Sequence, residues 1–457
     1  MRPLVAGSIA FAVAIAVACS DFETTPSSDA PDATDDAAED SGGGDAPITS
    51  DGGSTTIVDV AAGETFACAL RENGRVLCWG SNLDGAIGEL GGTTDDTCDD
   101  NLPCRFTPRE VPGIEGVVQI AASPKTVFAR KHDGTVWAWG SNEHGLLGLG
   151  STVVGSRAAP KAIDGIVNAV DIVGGFAIAC ARLSDKEVKC WGANDRMILQ
   201  DTTSGVRGPS LLPNLKTSKQ IRLSLTSSYG CAVGDDDRVR CWGRSYSGNL
   251  GYDLSDGGDA SATELDCGAF GDKCQPTPLA IGDLTASSIT TGHFTSCAQR
   301  LSGGVVCWGY NEVGALGNDT SDYGTHAIPE LAAPIPEPVQ LAGGGRHFCS
   351  LHEGKVHCWG RNEEGELGNA FAGGETCITF EACSKKPVLP SLPGPAKRIA
   401  AGKALTVALL EDGRLFAWGA NMDARLGHKP GDMGDLQNCD FDNKKRCNPN
   451  PQLVAVP

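Results

Sequence analysis

Pairs of cysteines at a nearly constant spacing are the clearest chemical signal in this sequence of 457 residues. Two cysteines that face each other on neighbouring antiparallel strands lie close enough to form a disulfide. A separation of ten residues predicts a three-residue loop, as in Glu72-Asn73-Gly74, and a separation of nine predicts a two-residue turn, as in Glu353-Gly354. We expect a disulfide across each of five such hairpins: Cys68 with Cys78, Cys180 with Cys190, Cys231 with Cys241, Cys297 with Cys307, and Cys349 with Cys358.

Four further pairs of cysteines, with partners six to eight residues apart, predict short loops closed by disulfides. These pairs are Cys98 with Cys104, Cys267 with Cys274, Cys377 with Cys383, and Cys439 with Cys447. Zinc is the competing interpretation, but the spacings differ from the C-x2-C spacing of zinc sites, so we expect no metal and no cofactor. Nine disulfides use all but one of the nineteen cysteines and indicate an oxidising compartment.

The remaining cysteine, Cys19, follows a short basic start and an apolar run of fifteen residues, Leu4–Ala18. That length is typical of a signal peptide and too short to span a bilayer. The segment Ala16-Val17-Ala18-Cys19 resembles the bacterial lipobox, although Ala16 stands where Leu is usual. We therefore predict a signal peptide over residues 1–18 and a lipid anchor on Cys19. Ordinary signal cleavage with an unmodified Cys19 is the alternative.

The stretch that follows, residues 19–55, has the composition of a disordered linker. Residues 20–55 contain ten acidic residues and no Lys or Arg. Such a segment buries too little apolar surface to offset its ordering entropy, so we interpret it as a flexible acidic tether. Ser20, rather than Asp, follows Cys19, which resembles the sorting pattern of outer-membrane lipoproteins. We expect a bacterial protein that is exported to the cell envelope and anchored in the outer membrane.

No catalytic arrangement of residues is evident in the sequence. It contains no G-x-S-x-G, H-E-x-x-H or phosphate-binding G-x-x-x-x-G-K-[ST] motif. The acidic runs at residues 95–100 and 235–237 offer oxygen ligands for Ca²⁺, but neither follows the EF-hand pattern, and we expect solvated loops. With a net charge of −20, the chain also lacks the clustered Lys and Arg of a nucleic-acid-binding surface.

These features lie within a motif that occurs seven times. Trp-Gly recurs at gaps of 51 to 66 residues, at Trp79, Trp139, Trp191, Trp242, Trp308, Trp359 and Trp418. Each copy has two short apolar strands joined by a hairpin turn, and the second strand ends in Trp-Gly before a segment of the type Asn-x-x-Gly-x-Leu-Gly. Short strands at such a period predict the four-stranded blades of a β-propeller, which is an all-β fold.

With these motifs the chain resembles the regulator of chromosome condensation repeat family, whose members are seven-bladed β-propellers. The resemblance implies a propeller over residues 56–457, with each Trp packed between blades and a glycine in the tight bend after it. It also implies a structural role for His293 and His347, which occupy the turn-histidine position of the family repeat. The third copy departs from the pattern, because its segment at residues 194–200 has lost both glycines.

Comparison of the copies supports the pairing of the hairpin cysteines. Five copies have both cysteines, whereas the second copy has Phe128 and Ala138, and the seventh has Val407 and Ala417, at the same positions. No copy has only one of the two cysteines. This joint presence or absence is expected of residues that are bonded to each other.

The position of one strand type predicts how the ring closes. A strand that begins Pro-x-x-Val or Pro-x-x-Leu precedes most copies, but the linker runs almost directly into the first copy. The corresponding strand at Pro451 follows the seventh copy instead. We therefore predict that the C-terminal strand completes the first blade and closes the ring, which leaves only short, protected edges.

The four loop disulfides occupy one repeat position in copies one, four, six and seven, so propeller symmetry places them at one end of the ring. Copies six, seven and one are neighbours in a closed ring, and their loops form a candidate binding rim of mixed charge. Its residues are Asp95, Asp96, Asp99, Asp100, Lys385, Lys386, Lys444, Lys445 and Arg446. Rigidly held loops are common binding sites. Insertions that are braced only against proteases are the alternative.

Taken together, the sequence predicts a non-enzymatic, surface-tethered lipoprotein propeller, monomeric, that binds an unidentified protein partner. A structural or carbohydrate-binding envelope protein is the main alternative, and a hydrolase or lyase has no supporting residues. The nuclear founder of the family promotes guanine nucleotide exchange on a small GTPase. An exported chain would not meet that partner, so we disfavour this activity. Fold alone does not settle the function.

Overall fold

The computed structural model describes residues 54–89, 96–150, 155–252, 265–267, 273–335, 337–370, 375–437, 439 and 445–457. The predicted signal peptide, Cys19 and the linker up to residue 53 lie outside the described residues, as do Asp95 and Lys444 of the candidate rim. Among the described residues, no helix is long and apolar enough to cross a membrane.

The described chain is antiparallel β-structure with two short 3-10 helices, at Asp99–Asn101 and Pro213–Leu215. The strands of the first three copies are β1 (Ile57–Ala62), β2 (Phe66–Arg71), β3 (Val76–Ser81), β4 (Asp96–Thr97), β5 (Pro103–Glu110), β6 (Val117–Ala122), β7 (Thr126–Lys131), β8 (Val136–Ser141), β9 (Ser156–Ala162), β10 (Ala169–Gly174), β11 (Ile178–Leu183), β12 (Val188–Ala193) and β13 (Val206–Leu211).

The strands of the remaining copies are β14 (Ser218–Leu223), β15 (Tyr229–Gly234), β16 (Arg238–Ser245), β17 (Leu265–Asp266), β18 (Lys273–Thr291), β19 (Thr295–Arg300), β20 (Val305–Gly309), β21 (His326–Leu331), β22 (Gln340–Gly343), β23 (His347–His352), β24 (Lys355–Arg361), β25 (Cys383–Val388), β26 (Ala396–Ala401), β27 (Leu405–Leu410), β28 (Leu415–Ala420), β29 (Leu436–Gln437) and β30 (Arg446–Val454).

Each copy is a meander of four antiparallel strands whose order in the sheet follows their order in the chain. Copies four and five share β18, which is the fourth strand of one and the first strand of the next, so these two copies form one eight-stranded sheet. The two-residue strands β4, β17 and β29 pair with the outer strands of copies one, four and seven. They belong to the loops that the predicted loop disulfides close.

The second and third strands of each copy are largely buried. In β2, five of the six side chains are buried, and all six are buried in β3. A strand covered on both faces needs apolar residues along its whole length, not at alternate positions. This accounts for the short continuous apolar runs before and after each hairpin.

All five hairpin disulfides predicted from the sequence are formed. In each of them the cysteines face each other across the second and third strands, with Cα–Cα distances of 4.0–4.1 Å. The bonds are Cys68–Cys78, Cys180–Cys190, Cys231–Cys241, Cys297–Cys307 and Cys349–Cys358. The hairpin of copy six turns through Glu353 and Gly354, both with positive φ, which confirms the two-residue turn that its shorter spacing predicted.

The four predicted loop disulfides are formed as well, with Cα–Cα distances of 5.8–6.0 Å. They are Cys98–Cys104, Cys267–Cys274, Cys377–Cys383 and Cys439–Cys447. Their second cysteines belong to the outer strands β5, β18, β25 and β30. Each loop disulfide therefore ties a surface loop to the fourth strand of its own copy.

The seven repeat tryptophans link each copy to the one before it. Each is fully buried, and its indole Nε1 donates to a backbone carbonyl of the preceding copy at 2.7–3.0 Å. The glycine that follows each Trp has a φ between +97° and +120°. A Cβ there would lie 2.1–2.7 Å from a carbonyl oxygen of the turn between the first and second strands, so only glycine fits.

The ring is closed, but not by exchange of a strand. The predicted addition of the C-terminal strand to the first blade is wrong: β30 pairs with β28 of its own copy, and β5 is the fourth strand of the first copy. The Pro-x-x-Val strand completes the copy that it follows, which leaves no gap for an exchanged strand. Instead β1 packs against β26 and β27, and Trp79 donates to the carbonyl of Arg425.

Candidate functional site

The antiparallel order of the strands gives the ring two different faces. The turns between first and second strands and the connections between third and fourth strands lie at one end, which we call the mouth face. The hairpins between second and third strands and the links between copies lie at the other end, which we call the hairpin face. All four disulfide loops are connections between third and fourth strands, so all four lie on the mouth face.

A cavity of about 400 Å³ opens at the centre of the mouth face. One side is apolar and is formed by Phe176 and Leu225, from turns of copies three and four. The opposite side is charged and includes Arg346 and Arg361 of copy six and Lys403 of copy seven. A volume of this size is sufficient for a small ligand or for one or two protruding side chains.

The charged side of the cavity is built around Arg361, at the end of β24. Its guanidinium contacts the carboxylates of Glu363, Glu364, Glu366 and Glu381, with distances of 3.3 Å to Glu364 and 2.9 Å to Glu366. Burial alone would lower the pKa of Arg361, but these carboxylates hold it above its ordinary value. Burial raises the pKa of Glu366, which is almost completely enclosed. The guanidinium of Arg361 is therefore held by carboxylates on several sides.

Three other cations surround this cluster. Arg346 pairs with Glu381 at 3.1 Å and with Glu312 of copy five. Lys445 pairs with Glu364 at 3.0 Å. Lys403 pairs with the carboxylate of Glu64. These contacts connect copies five, six, seven and one around the cavity.

His293 lies in the wall of the cavity and is uncharged at neutral pH. Burial of the imidazole, together with the guanidiniums of Arg346 and Arg244, lowers the pKa of His293 to about 4. Its Nδ1 lies 3.1 Å from Oγ1 of Thr226 in the preceding copy.

His347 is completely buried, with its Nε2 2.9 Å from Oγ1 of Thr406. Burial, followed by the charge of Arg361, lowers the pKa of His347 to about 3. This environment fits the structural role that the family resemblance implies.

His293 does not share the repeat position of His347. Thr295 pairs with Gly309 as His347 pairs with Gly360, so Thr295 is the equivalent of His347. The assignment of His293 to the turn-histidine position is therefore wrong, and His293 lines the cavity.

Every exposed aromatic side chain among the described residues belongs to the mouth face. Phe176, Tyr246, Tyr323 and Phe380 are 37%, 45%, 61% and 81% exposed. Phe380 is at the tip of the loop closed by the Cys377–Cys383 disulfide and has a φ of +64°, a strained conformation for a bulky residue. The mouth face therefore exposes several aromatic side chains, a residue type that is usually buried.

The structure joins described parts of the candidate rim, and it pairs several of their charges. Arg446 of copy seven contacts Asp99 of copy one, with 2.9 Å between Nε and Oδ2. Lys386 pairs with Asp319 of copy five at 2.9 Å, and Asp96 accepts from the backbone N–H of Phe106. Lys385 has its backbone carbonyl bonded to the N–H of Asp319. Among the described residues of the rim, Lys445 alone also lines the central cavity.

The second acidic run lies on the hairpin face, and all three of its carboxylates are in ion pairs. Asp235 pairs with Lys186, Asp236 with Arg240, and Asp237 with Lys219. The hydrogen bonds from Arg240 hold the pKa of Asp236 well below its usual value. In the part of the chain that the structure describes, no group of three or more His, Cys, Asp or Glu is arranged to hold a metal ion.

Known proteins share the repeat and the fold. The regulator of chromosome condensation (RCC1) repeat matches residues 57–86, 117–146, 133–181 and 353–409. The ultraviolet-B receptor UVR8 of Arabidopsis thaliana is 27% identical over 386 residues, which are 81% of this chain and 78% of the receptor. The human regulator of chromosome condensation is 26% identical over 78% of this chain and 82% of its own length. The human E3 ubiquitin-protein ligase HERC2 is 25% identical, but the match spans only 7% of its length.

Solved structures agree with these sequence matches. Prp20p of Saccharomyces cerevisiae superimposes with a TM-score of 0.65 at 19% identity, over 84% of this chain and 87% of that one. Human WBSCR16 has a TM-score of 0.61 at 19% identity, over 78% of this chain and 87% of that one. At this identity the likeness shows the fold alone. The repeats, the relatives and the fold together support a propeller of the RCC1 type.

Proposed function

We propose that this RCC1-type propeller is a non-enzymatic binding protein of the bacterial envelope, and that it binds a protein partner through its mouth face. The observation that carries the proposal is the segregation of exposed aromatics, since Phe176, Tyr246, Tyr323 and Phe380 all lie on that face. Tyr, Phe and Arg are enriched in the centres of protein interfaces. The aromatic residues therefore mark the mouth face as the side on which a partner would dock.

The loop disulfides support the same proposal. The Cys377–Cys383 bond holds Phe380 outward in a loop of seven residues. A closed loop has less freedom to lose when it meets a partner, so more of its contact energy appears as affinity. A loop kept only for resistance to proteases would have no need to expose an apolar ring.

Related propellers bind other proteins. Prp20p of Saccharomyces cerevisiae binds Gsp1p and histones, and Kap60 binds yeast RCC1. We propose a protein partner for the present chain as well, but not the same one. The HERC2 match covers a small part of that ligase and so supports no ligase activity here.

We also propose that the ring has seven blades. We further propose that the protein is attached to the membrane through a lipid on Cys19. The seven Trp-to-carbonyl bonds around the ring support the blade number. The lipobox-like segment and the acidic residues 20–55 support the anchor and tether. Several acyl chains give stable attachment where one chain is marginal.

Metabolic labelling with a fatty-acid analogue tests the anchor. We expect the full chain to be labelled and Cys19→Ala to be unlabelled and released into the soluble fraction. Equal labelling of the two proteins would overturn the anchor and leave the binding proposal untouched.

Co-purification from envelope extract tests the binding face. The double variant Phe380→Ala with Tyr323→Ala should lose the partner, with affinity reduced about thirtyfold or more, as for interface hot spots. Val339→Ala is the control, because Val339 is 78% exposed but lies on the hairpin face. A partner that is retained by the aromatic variant and lost by the control would place binding on the other face. Recovery of glycans in place of a protein would favour the carbohydrate-binding alternative.

A further inference from the structure

The cavity of the mouth face has walls of opposite character. Phe176 and Leu225 form one wall, and Arg346, Lys403 and Lys445 stand on the other. The uncharged imidazole of His293 lies between them. A ligand that fills this space must therefore have an apolar part and a polar part.

The cations of the charged wall face the solvent more than the carboxylates that pair with them. The side chain of Lys445 is 37% exposed, whereas that of its partner Glu364 is 7% exposed. Lys403 is likewise more exposed than Glu64, and Arg346 more than Glu312 and Glu381. The carboxylates hold the cations from behind, so an incoming group meets ammonium and guanidinium N–H groups first.

Direct hydrogen bonds, and not the net electrostatic potential of the cavity, must then recognise the polar part of the ligand. Behind the cations lie the carboxylates of Glu312, Glu363, Glu366 and Glu381, so the complete cluster has no excess of positive charge. Charge-assisted hydrogen bonds from Arg or Lys to a carboxylate are shorter than neutral hydrogen bonds and roughly twice as strong. The fixed pairing also keeps the donors in place before a ligand arrives.

We propose that the cavity receives a carboxylate side chain next to an apolar side chain, both on a protruding loop of the protein partner. The carboxylate contacts Arg346, Lys403 and Lys445, and the apolar neighbour packs against Phe176 and Leu225. A volume of about 400 Å³ holds two side chains of a loop and excludes a whole domain. This inference rests on the proposed function, since it names the chemistry of the partner at the centre of the same face.

Selection from a random library of short disulfide-closed peptides tests this inference without knowledge of the natural partner. Peptides selected on the full propeller should be enriched in Asp or Glu beside an aromatic or aliphatic residue. Their affinity should fall about tenfold or more for the double variant Lys403→Gln with Lys445→Gln. Lys386→Gln is the matched control, because Lys386 is a paired lysine of the same face outside the cavity. Thermal melting establishes that each variant is folded.

A further variant separates the two walls of the cavity. Phe176→Ala should weaken the preference for an apolar neighbour and leave the preference for a carboxylate. Selected peptides without an acidic residue, peptides that bind equally to the double lysine variant, or no enrichment at all would overturn the inference. If peptides bind at Phe380 and Tyr323 instead, the cavity proposal fails while the mouth face remains the binding face.

Discussion

The same repeat forms both faces of the ring, but the connections on the mouth face vary more from copy to copy than those on the hairpin face. On the hairpin face, turns of two to four residues join the second and third strands, and the hairpin cysteines are nine or ten residues apart. On the mouth face, the connections vary in length, four carry disulfides, and four aromatic side chains are exposed. The regular strands and hairpins therefore form the scaffold, and the irregular connections determine the surface of the mouth face.

Substitution of a glycine after a repeat tryptophan should have the largest effect, because it damages the scaffold beneath both faces. At Gly309, φ is +106° and a Cβ would lie 2.1 Å from the carbonyl oxygen of Phe294. We expect Gly309→Ala to lower the free energy of unfolding by at least about 2 kcal/mol, measured by chemical denaturation. Gly413→Ala is the control: its φ is also positive, but the space around it is open, so about 1 kcal/mol is expected. Equal losses would contradict the steric account.

Removal of disulfides should distinguish the scaffold from the mouth face. The double variant Cys349→Ala with Cys358→Ala opens a bond between two buried strands and should cost about 2–3 kcal/mol of unfolding free energy in the chain-entropy model. The double variant Cys377→Ala with Cys383→Ala opens a surface loop that can unfold locally, so we expect less than about 1 kcal/mol. It should nevertheless weaken partner binding. A loop variant that melts as early as the strand variant would show that the loops are part of the scaffold.

Acid should destabilise the scaffold through His347. The pKa of His347 is lowered by burial in the fold, so below its ordinary pKa of about 6.5 the unfolded chain binds a proton that the folded chain does not. The contribution of the neutral His347 to the free energy of unfolding is therefore fully present above about pH 6.5. It decreases as the pH falls toward 4, by about 1.4 kcal/mol per pH unit. His347→Gln should flatten that slope in urea titrations at a series of pH values. An unchanged slope would mean that His347 is protonated in the fold.

Loss of the ion pair between loops of the mouth face should have the smallest effect. Arg446 and Asp99 join copies seven and one across a partly exposed surface. Such pairs contribute less than about 1 kcal/mol. Arg446→Gln should leave the melting temperature nearly unchanged and increase the hydrogen exchange of the two loops. A large fall in melting temperature would show that this pair closes the ring.

The fold was largely predictable because its signals are local and repeated. Trp-Gly and each pair of cysteines lie within a single copy, and their recurrence predicts the copies and all nine disulfides. The order of the outer strands was not predictable in the same way, because a strand between two copies can belong to either. That ambiguity led to the wrong assignment of the strand at Pro451.

The candidate site was far less predictable from the sequence. The lining of the cavity comes from six copies, each of which contributes between one and four residues, and Glu64 and His293 are the single residues from their copies. No linear pattern connects positions so far apart in the chain. The rim charges were visible as clusters, but their pairing, such as that of Lys445 with Glu364, depends on which loops become neighbours.

The most direct test of the account is photo-crosslinking in the native envelope. A photoreactive phenylalanine analogue is placed at Phe380 in one protein and at Val339 in another, two positions that are 81% and 78% exposed on opposite faces. The account predicts a discrete protein adduct from position 380 and none from position 339. An adduct from position 339 alone would contradict the claim that the mouth face binds the partner.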